Sequence, residues 1–140
     1  MKNALTLPNF VQWTDHSVLI LRLVVGSFLI WGVLDNILSA ERMIEFENFL
    51  IQFGFPLPDL MARVSVWAQF LIGVSFVSGI FIRWAGIFCV INFIVAIVMV
   101  DSISGIRASF PSASLICIGL FFMSYGAGRF SLETLLIKSE

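Results

Sequence analysis

Long apolar runs, broken by short polar or glycine- and proline-bearing stretches, dominate the chain. A helix needs about 20 mostly apolar residues to cross a hydrocarbon core of about 30 Å. Four segments meet or approach that length, at 17–38, 61–82, 84–100 and 112–125. Lipid offers no partner for backbone amides and carbonyls, so segments this apolar read as helices. The pattern predicts an all-α integral membrane protein, an antiparallel four-helix transmembrane bundle making one domain over 1–140. The third and fourth spans are short and would borrow a turn from flanking Ser- and Gly-containing residues.

The stretch 39–60 follows a different pattern. Met43, Phe46, Leu50 and Phe53 recur at helical spacing, while Glu41, Arg42, Glu45 and Gln52 take other positions. This predicts an amphipathic interfacial helix after the first span, closed by Gly54 and the Pro56/Pro58 pair. It serves either as a connector resting on the headgroups or as a lid or docking surface. Residues 101–111, with Gly105, Arg107 and Pro111, read as a turn-rich connection. Gly26/Gly32 and Gly73/Gly79 share a spacing, but in helices that run in opposite directions, which makes no repeat.

The first span does not read as a cleavable signal peptide. Only Lys2 precedes it as a basic residue, it is too long for an h-region, and it carries Arg22 and Asp35. Four spans put both termini on one side, with Lys2, Arg83, Arg129 and Lys138, and with Arg22 just inside the membrane. The opposite loops hold Arg42, Arg63 and Arg107. The balance of basic residues favours cytoplasmic termini.

Composition narrows the possible chemistry. Of 140 residues, 59% are hydrophobic and 12% charged, and mean hydropathy is +1.02; soluble domains carry about a quarter charged residues. There is no room for a soluble catalytic module beside the membrane part. A net charge of −1 without a basic stripe argues against nucleic-acid binding. Cys89 and Cys117 sit in different spans without a C-x-x-C pair, which argues against a dithiol centre or a disulfide scaffold. His16 is the only histidine, so no Cys/His metal cluster or second haem ligand is in view. No G-x-S-x-G, G-x-x-x-x-G-K-[ST] or G-x-G-x-x-G occurs, and no catalytic residue is assigned. Gly126-Ala127-Gly128 reads as a helix terminator.

Ionisable and polar groups at membrane depth are functional candidates by default. Arg22 lies about 7 Å inside the boundary, where its stem can snorkel to the headgroups. Asp35 is roughly 20 Å further along the axis and about 140° around it, so it cannot pair with Arg22 and reaches water at the opposite edge. Gln69 is nearest the midplane and must find partners inside the bundle. Three stripes look like inward faces: Ser65, Gln69 and Gly73; Ala85, Cys89, Asn92 and Ala96; Ser114, Cys117, Phe121 and Ser124. They read either as interhelical packing with satisfied amides or as a pocket for a polar headgroup such as a quinone ring, lined by Arg22, Gln69 and Asn92.

The order of these features resembles the DoxX family of small four-helix bacterial membrane proteins. Arg22-Leu23 followed by Gly26 and Gly32 is similar to the family's R-L-x-x-G-x-x-F-x-x-x-G opening. Phe53-Gly54-Phe55-Pro56 is similar to its G-[FI]-P segment. Gly73, Gly79 and Arg83-Trp84-Ala85 match a glycine-rich second span ending in G-x-x-x-R. Gly126-Ala127-Gly128-Arg129-Phe130-Ser131-Leu132-Glu133 is similar to the G-x-G-x-x-S-[LI]-D ending. Asp35 stands where many members carry Lys, and Gln69 where they often carry Glu. An amide does not titrate, so proton-coupled chemistry is not carried over to Gln69.

The resemblance implies a protein of the bacterial cytoplasmic membrane, in contact with the lipid bilayer and with other subunits of a membrane complex. The expected function is a non-catalytic accessory subunit of a redox or energy-transducing complex, with quinone as the candidate cofactor. A stand-alone quinone-contacting oxidoreductase and a small transporter are the competing readings. Homo-oligomerisation is open.

Overall fold

The computed structural model describes residues 8–139, so Lys2 lies outside the described part. A 3-10 stretch, Pro8–Trp13, leads into α1, Thr14–Leu38. There follow α2 (Ala40–Gln52), α3 (Pro58–Ser78), α4 (Ile82–Ala96), α5 (Ile106–Tyr125) and a short α6 (Leu132–Ile137). No strand occurs among the described residues. Among the described residues four helices are long and apolar enough to cross a membrane: Phe10–Leu38, Pro58–Ser78, Ile82–Ser104 and Ile106–Tyr125.

Local chemistry sets the ends of these helices. Ser39 closes α1 by donating its N–H to Asp35 O, and its side chain then caps α2 by accepting from Arg42 N. Pro58 opens α3, where a missing N–H does no harm. Gly79, at φ 76°, closes α3 in the left-handed conformation that glycine adopts most readily. The chain re-enters the bundle as α4 after only Ile80 and Phe81.

The connection expected over 101–111 is mostly helical. After α4 a π-helical turn, Ile97–Asp101, and a single turn, Ser102–Ser104, run up to Gly105, and α5 starts at the next residue. Gly105 O accepts from the N–H groups of Ala108 and Ser109. The Ser109 hydroxyl donates to Asp101 O at 3.1 Å, and the Ser112 hydroxyl donates to the Asp101 carboxylate at 2.5 Å. These bonds hold the reversal closed over one glycine.

Consecutive spans pair as hairpins. In the first, Arg22 meets Phe76 and Val77, Gly26 meets Gly73, and Gly32 meets Gln69, so α1 and α3 run in opposite directions. A Cβ added at either Gly26 or Gly73 would lie 2.8 Å from the other's carbonyl oxygen. In the second, Arg83 meets Met123 and Ser124, Gly86 meets Gly119, and Cys89 meets Leu115. There the corresponding approaches are 2.6 and 2.9 Å. Small residues let backbones touch, which is how helices associate tightly where lipid removes the hydrophobic drive. The internal similarity absent between the first two helices is present between the two hairpins. Phe76 and Phe122, with ring centroids 4.8 Å apart, join them inside a core that includes Leu29, Ile82 and Cys89.

A second cluster lies at the far end. Met43 and Leu50 of α2 pack with Val33, Ala62 and Val66, and Phe46 packs against them. The apolar stripe anticipated for this helix therefore rests largely on the protein, while Ile44 and Ile51 point outward. One anticipated stripe is displaced. Cys117, Phe121 and Ser124 of α5 are exposed, and the buried face is Ser112, Leu115, Gly119 and Phe122. The hydroxyls of Ser114 and Ser124 donate to carbonyls of their own helix, Phe110 O and Leu120 O, so neither needs the interior.

Candidate functional site

Two polar centres lie within the spans. The first is Arg22, which is 1% exposed. Its stem does not snorkel to the surface. Nε donates to Phe76 O at 2.9 Å and Nη2 to Val77 O at 3.2 Å, while Nη1 donates to Ala127 O at 2.9 Å and Phe130 O at 2.6 Å. The guanidinium has five N–H groups, so these bonds use four of them. Phe76 and Val77 are in the last turn of α3, whose carbonyls lack helical partners and carry the negative end of the macrodipole. Arg22 therefore neutralises a helix terminus in α1's neighbour and holds down the segment after α5.

Arg83 repeats this on the second hairpin. It donates from Nη1 to Met123 O at 3.0 Å and Ser124 O at 2.7 Å at the end of α5, beside Gly126 at φ 88°. Neither interaction was anticipated. The one trace in the chain is an arginine three or four residues before the glycine of each close crossing, Arg22 before Gly26 and Arg83 before Gly86.

The second centre is a polar layer near the middle of α3 and of the α4 span. Ser65 Oγ donates to Asn92 Oδ1 at 3.2 Å, and Gln69 Nε2 donates to Leu29 O at 3.4 Å, beside Gly32. Gln69 and Asn92 are half-buried. Among the described residues Gln69 Oε1 and Asn92 Nδ2 have no hydrogen-bond partner, and neither is sealed in the interior. The layer thus presents one free acceptor and one free donor at membrane depth.

Arg22, Gln69 and Asn92 do not converge. Arg22 bonds α3 at Phe76, about 10 Å along the helix from Gln69. Its donors are taken up by carbonyls, apart from the amides of Gln69 and Asn92. Between α3 and α4 runs a groove of about 540 Å³, lined by Ala68, Leu71, Ser75, Phe81, Trp84 and Phe88 among others. It is almost wholly apolar and excludes all three residues. Cys89 is buried, with Sγ 3.5 Å from Leu115 O, and Cys117 faces outward; both are free thiols. Among the described residues no three His, Cys, Asp or Glu side chains gather as a metal site would require.

Comparison with protein families matches the DoxX family over residues 17–102. The chain belongs to that family. The match takes in the first hairpin, α2 and α4, and it stops before α5 and the Gly126–Glu133 segment. Curated proteins and solved structures yield no match.

Proposed function

We propose that this DoxX-family membrane protein is a non-catalytic accessory subunit of a larger redox or energy-transducing complex in the bacterial cytoplasmic membrane. The supporting observation is the unfinished hydrogen bonding of Gln69 Oε1 and Asn92 Nδ2. In hydrocarbon an unpaired amide group costs several kcal/mol, so a polar partner from outside the chain is favoured there. A neighbouring subunit supplies one such partner, and a quinone ring supplies another. An N–H at Asn92 and a C=O at Gln69 match the carbonyl and hydroxyl oxygens of a quinone and its quinol. When bound, that group would bring the two-electron chemistry, and the chain's residues would hold and orient it. By position in the sequence, Lys2, Arg83, Arg129 and Lys138 fall on the terminal side, against Arg42, Arg63 and Arg107 opposite, and this excess supports cytoplasmic termini.

The test is mild-detergent extraction from native membranes, size separation, mass spectrometry and an absorption spectrum of the intact particle. Comigration with cofactor-bearing subunits is the expected result. A small colourless particle of this chain alone overturns the accessory reading, and quinone extracted from such a particle would support a stand-alone enzyme.

A further inference from the structure

We infer that α6, Leu132–Ile137, is a membrane-surface anchor that seats its apolar side chains at the boundary between headgroups and acyl chains. The inference is independent of which complex the protein joins. Its basis is an inverted polarity. Leu135, Leu136 and Ile137 are 64%, 60% and 69% exposed, and Leu132 is exposed as well. The polar residues of the same helix turn toward the protein: Glu133 and Thr134 are half-buried. Thr134 Oγ1 donates to Gly128 O at 3.1 Å and lies 2.8 Å from Ser131 Oγ. A helix in water would roll the other way, hiding leucines and wetting the threonine and glutamate.

The orientation is built in. Gly126 and Gly128 take left-handed φ values of 88° and 72° where the chain leaves α5. Arg22 grips Phe130 O, and Ser131, 6% exposed, caps α6 by accepting from Thr134 N. The leucine face is therefore held outward by buried contacts.

Continuity with the lipid-facing surface identifies what covers that face. Phe121 and Tyr125, just before the elbow, are exposed on the outside of α5. Phe10, Val11 and Trp13 are exposed at the other end of the chain. The His16 ring bridges the two terminal segments, 5.4 Å from Trp13 and 5.0 Å from Phe130. Together they form an apolar and aromatic skirt around the terminal end of the bundle. It is edged by charges of both signs: Arg129 and Lys138, with Glu133 of α6 and with Asp15, whose carboxylate accepts from the Arg129 backbone N–H. Six residues cannot span a bilayer, whereas a short apolar face continuous with the lipid-facing helices suits the boundary between headgroups and acyl chains.

The test uses the full chain with Cys117→Ser, leaving buried Cys89, reconstituted in mixed phosphatidylcholine and phosphatidylglycerol vesicles. Nitroxide labels are placed by Leu136→Cys and, separately, by Ser139→Cys. The expected result is a Leu136 label relaxed by oxygen and protected from a water-soluble nickel chelate, with the opposite pattern at Ser139. A Leu136 label as open to nickel as that at Ser139 overturns the proposal, because the helix then projects into water. Shielding from both reagents also overturns it, because protein then covers the face. Leu132→Cys gives an independent reading, and an unlabelled Cys89 confirms the fold in each variant.

Discussion

The guanidinium of Arg22 stands where a side chain at position 79 would have to be. A Cβ on Gly79 would lie 2.7 Å from Arg22 Cζ and 2.7 Å from Ser131 Cβ. One glycine thus turns the chain out of α3 and leaves room for the arginine that caps α3. The same contact explains how the C-terminal segment is tied to the first helix, since Arg22 reaches Ala127 O and Phe130 O from that space.

Gly79→Ala should destabilise the protein far more than Gly54→Ala. Both glycines have positive φ, 76° and 71°, but nothing lies within 4 Å of a Cβ at Gly54. Conformational strain alone costs about 1 kcal/mol, and the clash with Arg22 should add roughly 1–3 kcal/mol. Thermal unfolding of both variants in detergent reads the difference, and equal shifts would remove the steric role of Arg22.

Arg22→Met should leave the buried carbonyl of Phe76 and the partly buried ones of Val77, Ala127 and Phe130 without their donor. Each unsatisfied group costs roughly 1–3 kcal/mol, and Arg22→Lys should recover only part because a single ammonium cannot reproduce the fork. Limited proteolysis should then cut first after Tyr125, where the lost bonds anchored the chain. Cleavage that begins elsewhere would contradict the clamp.

Gly26→Ile and Gly119→Ile each put a branched side chain where two backbones touch. Each should separate its own hairpin and lower the unfolding temperature, with overpacking worth roughly 1–3 kcal/mol. The two effects should add, because the crossings lie in different helix pairs. Strong non-additivity would show that the hairpins are not independent packing units.

Gln69→Leu and Asn92→Leu should separate stability from association. Each substitution gives up one long hydrogen bond, to Leu29 O or from Ser65 Oγ, and also removes an unpaired half-amide from a lipid environment. The isolated chain should therefore change little in stability. The same variants should lose partner subunits or bound quinone on extraction. Undiminished association would take the polar layer out of the function.

Cys117 should react with N-ethylmaleimide in the folded protein, and Cys89 only after unfolding. Cys117 is exposed and Cys89 is fully buried against Leu115. Intact-mass measurement should find one adduct in mild detergent and two in SDS. Two adducts under native conditions would place Cys89 outside the core.

The four apolar runs and the separate helix over 40–52 could be read from the chain because hydropathy and helical spacing are local properties. Gln69 and Asn92 stood out for the same reason, being polar where lipid offers no partner. That Arg22 lies apart from them was not visible, since it depends on which turn of α1 meets which turn of α3. The α5 stripe through Cys117 failed because serine can satisfy itself on its own helix, so small polar residues do not report an inward face.

By itself the sequence determined that the protein lives in a membrane as helices. Backbone groups in hydrocarbon must bond within their own segment, so length and apolarity alone decide that outcome. Only the tertiary structure decided what Arg22 does. Its four acceptors lie 54 to 108 residues away and are all backbone carbonyls. A carbonyl is a group that every residue carries. No residue type marks such a partner, so the link between α1, the end of α3 and the C-terminal segment exists only in the packed bundle.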